Sequence, residues 1–241
     1  MKITVNAITG YDDAIVAMFI SKRTWTPELD KEIRITCRKV LDIDGRIRED
    51  VDPELVEKFN KWIEMALRMG TRHITIIRYI NISLMTEAMH RGGQDDIDAH
   101  SMRFNNRIVR SSTRLARFDQ DEFSDFYKDK VMTTDRALKI LNIEIPESFE
   151  YEGSVYVKSP NGYVKEEYKE NNDVKRGLYM LGIPSNFVSQ INLCEYAHVF
   201  QERNKDGGAN PEVKEWAESF AQQLTDFCPF ITRDYLLKVK N

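Results

Sequence analysis

Five arginines, Arg103, Arg107, Arg110, Arg114 and Arg117, recur at steps of four, three, four and three residues between His100 and Phe118. On a helix turning about 100° per residue they fall within an arc of about 80°, forming one column of guanidinium groups. Arginine stays charged and presents a planar fork of donors matched to phosphate and carboxylate, so such a column repels itself unless anions bind it or water solvates it. No acid alternates with these residues from His100 to Arg117; the next are Asp119, Asp121 and Glu122. Two readings stay open: an anion site, or a solvated face whose arginines pair with acids on neighbouring elements. The opposite side, with Phe104, Ile108, Val109, Leu115 and Phe118, is apolar enough to dock on a core.

Other residue types narrow the chemistry. The four histidines, His73, His90, His100 and His198, lack metal-ligand spacing, so no metal is expected. Cys37, Cys194 and Cys228 lie far apart without CxxC pairs, which suggests reduced thiols in a cytosol-like compartment. With 35 basic against 39 acidic residues the net charge is −4, so nucleic-acid wrapping and a stable nucleic-acid partner are not expected. The start of the chain carries no signal pattern and no run reaches the roughly 20 apolar residues that span a bilayer, which predicts a cytoplasmic protein with no membrane partner.

Lys2 to Ala7 alternates like a strand, and an apolar helix follows from about Asp13 to Ser21. Asp52 is a plausible N-cap before Pro53, which opens a helix to Met69 with Leu55, Phe59, Trp62, Ile63 and Leu67 on one face. His73 to Leu84, rich in β-branched residues, predicts a strand. Arg91-Gly92-Gly93 predicts a break before the arginine helix, whose first turn would carry Asp95, Asp96 and Asp98. Further helices are expected over Thr134–Leu141, Asp173–Leu181, Ser185–Arg203 and Pro211–Phe227. Phe149 to Tyr168, with a Pro160-Asn161-Gly162 turn, predicts a β-hairpin or a structured loop over a site. Without repeats or low-complexity linkers, residues 1–241 read as one α+β domain.

One segment carries a family resemblance. Asn192-Leu193-Cys194-Glu195-Tyr196-Ala197-His198-Val199-Phe200-Gln201-Glu202-Arg203 resembles the Asn-Leu-Arg-x-x-x-His-Phe-Leu-x-x-Arg signature of the flavin-dependent thymidylate synthases, the ThyX family. Ala209-Asn210-Pro211-Glu212-Val213-Lys214 is similar to that family's Ala-Gln-x-Glu-Ile-Arg, and Cys228-Pro229 to its closing Cys-Pro. His73-x-Thr75 resembles its His-x-Ser/Thr, and Gly182-Ile183-Pro184 its Gly-Val-Pro. The arginine stretch takes the place of Arg-His-Arg-x-x-Ser-x-Asn-x-x-Ser-x-Arg-Tyr. Asn105-Asn106-Arg107 stands for Arg-His-Arg and Arg117-Phe118 for Arg-Tyr, while Arg110, Ser112 and Leu115 replace the Ser, Asn and Ser.

The resemblance implies a central antiparallel sheet flanked by long helices, a homotetramer, and FAD as cofactor. NADPH and methylenetetrahydrofolate would be co-substrates in the reductive methylation of dUMP, or a related C5 modification. Flavin contacts would come from Thr75, Asn105, Asn106, Arg107, Asn192, Leu193, Cys194 and His198. Contacts to a dUMP-like nucleotide would come from Arg103, Arg107, Arg110, Thr113, Arg114, Leu115, Arg117, Ser189 and Arg203. Thr113 replaces an acidic or polar site residue, Ser189 a phosphate-binding arginine, and Cys194 the signature arginine. Arg203 would be the catalytic cation beside N3 and O4 of the pyrimidine. Read from the residues alone, Arg203 is equally a cation complementing a helix C-terminus, and His198 a packing histidine. Two other functions stay open: a nucleotide- or nucleic-acid-binding protein that kept the fold, and a helical assembly protein.

Overall fold

Lys2–Thr9 is the first strand, β1, with Ile3 and Val5 buried in alternation and Ile8 buried one position out of that step. The structure, a computed structural model, describes residues 1–100, 107–110, 132, 134–159, 162–171, 184–204 and 210–238. Three helices follow β1: α1 Tyr11–Ser21, α2 Pro27–Val40 and α3 Pro53–Gly70. Asp52 accepts the Glu54 N–H at 2.9 Å and Pro53 opens the first turn, so α3 begins where its cap predicts. Sequence reading passed over α2, although Thr26 caps it through the Leu29 N–H. Its apolar stripe is narrow, burying only Ile33, Thr36, Cys37 and Val40. Helices α1 and α3 interlock through edge-on pairs, Tyr11 with Phe59 at 5.8 Å and Phe19 with Trp62 at 6.4 Å.

Next come a 3-10 turn, Ile74–Tyr79, strand β2 Asn81–His90, helix α4 Arg91–His100 and strand β3 Arg107–Arg110. After α5, Thr134–Ile140, lie β4 Ser148–Tyr151, β5 Ser154–Ser159 and β6 Gly162–Lys165, with a short 3-10 turn at Glu166–Tyr168. The C-terminal part holds β7 Pro184–Asn192, α6 Leu193–Asn204, α7 Pro211–Phe227 and a π-helical turn, Ile231–Leu236. The fold is α+β, with a four-stranded antiparallel sheet in the order β1-β2-β7-β3. The chain divides into two compact units. One comprises Met1–Lys2, Glu87–Asp95 and Arg110–Phe187; the other comprises Ile3–Thr86, Asp96–Val109 and Val188–Asn241.

In the second unit α6 and α7 meet through aromatic side chains, with Tyr196 and Phe220 rings 4.0 Å apart and Trp216 5.3 Å from Phe220. Their polar atoms are satisfied: the Tyr196 hydroxyl donates to the Ala217 carbonyl at 2.6 Å and Trp216 Nε1–H to Thr86 Oγ1 at 3.0 Å. Gln223 of α7 lies against the outer edge of β1, accepting the Val5 N–H at 2.8 Å and donating to the Ile3 carbonyl. On the π-helical turn, the fully covered Asp234 carboxylate accepts from Arg68 Nε at 3.2 Å, Lys238 Nζ at 2.7 Å and Arg233 Nε at 2.7 Å. Burial pushes this carboxyl up, but the hydrogen bonds from Lys238, Arg233 and Arg68 outweigh it and hold the pKa at about 2.

In the first unit β4, β5 and β6 form an antiparallel sheet with Phe149 opposite Tyr156 and Val157 opposite Val164. The expected hairpin about Gly162 is present as the Ser159–Gly162 pair, and a second one turns at Glu152 and Gly153, both with positive φ. Phe149 stacks on Tyr156 at 5.4 Å and meets Tyr163 edge-on at 4.8 Å.

Four expectations are corrected. The strand predicted over His73–Leu84 is a 3-10 turn until Tyr79 and a strand only from Asn81. Ile76, Ile77 and Ile80 are buried at spacings no strand face provides, and this packing overrides β-branched propensity. The Arg91-Gly92-Gly93 break is instead the first turn of α4. A Cβ on Gly93 would stand 2.7 Å from His90 Cε1 and 2.8 Å from Met89 Cε, so this glycine permits close packing. The arginine helix is contradicted at Arg107–Arg110, which is strand β3 beside β7. Backbone pairing along β7 decides this segment; arginine spacing carries no preference between helix and strand. Finally, the helix predicted over Ser185–Arg203 is strand β7 as far as Asn192. Ser185, Phe187, Ser189 and Ile191 are buried in strict alternation, a period of two hidden by small polar residues on the inner face. The helix expected at Asp173–Leu181 lies outside the described residues.

Candidate functional site

The signature residues belong to the second unit, where a glycine sets the geometry. Gly10, at φ +83°, lies so close to the 3-10 turn that a Cβ would sit 1.9 Å from the Tyr79 carbonyl oxygen. On a 3-10 turn residues i and i+3 eclipse, so Thr75 and Arg78 share one side, and both are exposed. Tyr79 beside them is half exposed, while Ile76, Ile77 and Ile80 anchor the turn in the core. The Ile80 carbonyl accepts the Leu193 N–H at 2.9 Å, which joins the turn to the first residue of α6.

Helix α6 is capped by Asn192, whose Oδ1 accepts the Glu195 N–H at 3.0 Å. Leu193 is packed wholly inside the core, and Tyr196, Ala197 and Val199 are buried with it. Cys194 and His198 stand one turn apart on the same side of the helix; Cys194 is buried and His198 half-buried. Burial pushes the Cys194 thiol up against the opposing pull of the Arg78 guanidinium, which hydrogen-bonds it. Ser189 is buried on β7.

Arg203, in the last turn of α6, is only 7% exposed. One terminal nitrogen reaches the Asp96 carbonyl at 3.5 Å, the outer limit of a hydrogen bond, and its buried Nε has no partner. No carboxylate pairs with it among the described residues. A buried guanidinium in this state has donor capacity that the described residues leave unused.

In the first unit Arg110 is engaged: it pairs with Asp95 at 2.5 Å and donates to the Gln94 carbonyl at 3.2 Å. The backbone of Arg107 lies in β3. Arg103, Asn105, Asn106, Thr113, Arg114, Leu115 and Arg117 lie outside the described residues. The structure adds Arg78 to the residues that the sequence singled out. Reading its segment as a strand put Thr75 and Arg78 on opposite faces; the i, i+3 spacing is meaningful only on the 3-10 turn.

No protein-family model matches the chain, and no curated protein is detectably similar to it in sequence. Its fold is similar to that of Thymidylate Synthase X (ThyX) from Helicobacter pylori, solved with FAD and dUMP. That likeness has a TM-score of 0.54 at 12% identity over 100% of both chains. A second structure, flavin dependent thymidylate synthase ThyX from Helicobacter pylori complexed with FAD and dUMP, gives a TM-score of 0.51 at 11% identity. It covers 92% of this chain and 93% of that one. Likeness at these identities establishes the fold: the expected antiparallel sheet with flanking helices is the architecture found.

Proposed function

We propose that the chain is a flavin-dependent thymidylate-synthase-like enzyme. It binds FAD and a dUMP-like nucleotide and converts dUMP to dTMP, or a close C5-modified relative, with methylenetetrahydrofolate and NADPH, as a cytoplasmic homotetramer. The observation that carries this reading is Arg203, a buried guanidinium with an unpartnered Nε on the helix that bears the resembled signature. FAD and dUMP are the ligands of the structural neighbours, and the shared fold supports the same pair here.

The residues present fit these groups. No acid occurs between Arg72 and Asn81, so the exposed Thr75 and Arg78 suit an anionic cofactor, and the orphaned Nε of Arg203 suits the carbonyl edge of a pyrimidine. FAD, when bound, supplies hydride chemistry. Arg203 places fixed positive charge where the ring accumulates negative charge as C5 turns nucleophilic, and its burial strengthens that interaction. Asn192, by capping α6, fixes the side on which Cys194 and His198 face the cofactor. The nucleotide phosphate falls to Arg107, Arg114 and Arg117.

The test is the absorbance of the purified protein from roughly 350 to 500 nm with FAD and dUMP added in turn, the range set by the isoalloxazine ring. Flavin bands that shift on adding dUMP are expected in the native protein, and the shift is lost in Arg203→Ala. A protein that retains no flavin under any condition sinks the proposal. The engagement of Arg110 with Asp95 favours one second reading, a nucleotide-binding protein that kept the fold without the flavin. That protein would bind dUMP and show no flavin bands.

A further inference from the structure

We propose that Arg78, with Thr75 beside it, is the phosphoryl-anion contact of this site and takes the pyrophosphate of the flavin dinucleotide. The choice of ligand rests on the function proposed above. The starting point is an imbalance of charge. Several arginines of the second unit are neutralised, Arg34 by Asp12 and Asp13, Arg68 and Arg233 by Glu64 and Asp234, and Arg48 by Asp50, while Arg78 belongs to those that are not. Arg78 has no carboxylate partner among the described residues, and its neighbour is the Cys194 thiol. Burial keeps that thiol protonated, so it does not repel an anion bound next to it.

The surroundings are built to hold such a guanidinium in place. Its turn is pressed against Gly10 on one side and tied to Leu193 on the other, so the cation projects from rigid backbone. Thr75, eclipsed with Arg78, adds a hydroxyl donor on the same side. A forked cation and a hydroxyl on one side of a turn match a phosphoryl group. Helix α6 has a cysteine at position 194, where the resembled signature carries an arginine, and Arg78 delivers from the neighbouring turn the charge that position 194 lacks.

Titration calorimetry at low ionic strength, with inorganic pyrophosphate, FAD and riboflavin as separate probes, tests this on the full chain. Arg78→Gln should weaken pyrophosphate and FAD about tenfold or more while changing riboflavin less than about twofold; Thr75→Val should give a smaller loss of the same pattern. Arg78 is exposed, so the melting temperature of Arg78→Gln should match the native protein. Native affinity of Arg78→Gln for both FAD and pyrophosphate overturns the inference and leaves the proposed function standing. Pyrophosphate binding that depends on Arg78, in a protein that takes up no flavin, keeps the anion contact and removes the flavin reading.

Discussion

Replacing Arg203 by methionine should make the ligand-free protein more stable and its nucleotide complex weaker. The guanidinium it removes is buried, its Nε lacks a partner, and its hydrogen bond among the described residues is the 3.5 Å reach to the Asp96 carbonyl. An unsatisfied buried donor costs about 1–3 kcal/mol, more when charged. Against that stands the attraction of a cation to the C-terminal end of α6, about 0.3–1 kcal/mol. Methionine fills an unbranched space of similar length with apolar atoms and adapts to irregular surroundings. The balance favours the variant by about 1–2 kcal/mol, which for a chain of 241 residues raises the melting temperature by about 2–8 °C. Adding dUMP should reverse the order. At about 100 times its dissociation constant the ligand stabilises the native protein by about 2.7 kcal/mol and the variant by almost nothing. Thermal unfolding with and without dUMP reads both effects. A variant that melts below the native protein without ligand refutes the reasoning, because Arg203 would then be holding the helix end together.

Two more outcomes follow from the second unit. Asp234 has its folded pKa depressed to about 2 from an ordinary 3.8, so its contribution is complete above the unfolded value and disappears as pH falls through the folded one. Its cationic partners are about half exposed, which discounts the pairing to about 1–2 kcal/mol; urea unfolding should find Asp234→Asn weaker by that amount at pH 7, with the gap narrowing as pH falls toward the folded pKa and closing only below it. A gap that persists at the acidic end would assign Asp234 a packing role. Gly10→Ala puts a Cβ 1.9 Å from the Tyr79 carbonyl at a positive φ, so a loss of about 2 kcal/mol or more is expected, together with weaker flavin binding as the 3-10 turn shifts. Unchanged melting and flavin affinity would show that the turn is not held from this side.

How much of this the sequence revealed depended on whether the local signal was the deciding force. Asp52-Pro53 and the apolar face of α3 gave that helix to within a residue, because cap, first-turn proline and periodicity agreed. The α6 signature was readable only as a resemblance: the helix expected from Ser185 was right from Leu193 to Arg203, and Asn192, expected inside it, is its cap. β7 was not, since its inner face carries Ser185 and Ser189, whose burial comes from the sheet around them. β3 was hidden behind the arginines: Ile108-Val109 is too short a β-branched run to announce a strand whose stability lies in pairing with a segment some eighty positions away. Arg78 escaped notice because its partnership with Thr75 exists only once the chain folds as a 3-10 turn.

The Gln223 amide that closes the edge of β1 also sets an order of events during synthesis. Its two bonds span 218 and 220 residues, so β1 waits for the synthesis of that much further chain before its outer backbone is satisfied. At about 5–20 residues per second that interval is roughly 10–45 s, during which β1 presents open hydrogen-bonding groups to any other nascent strand. Arrival of α7 therefore closes the edge: the strand that could recruit a neighbour is sealed by a helix of its own chain.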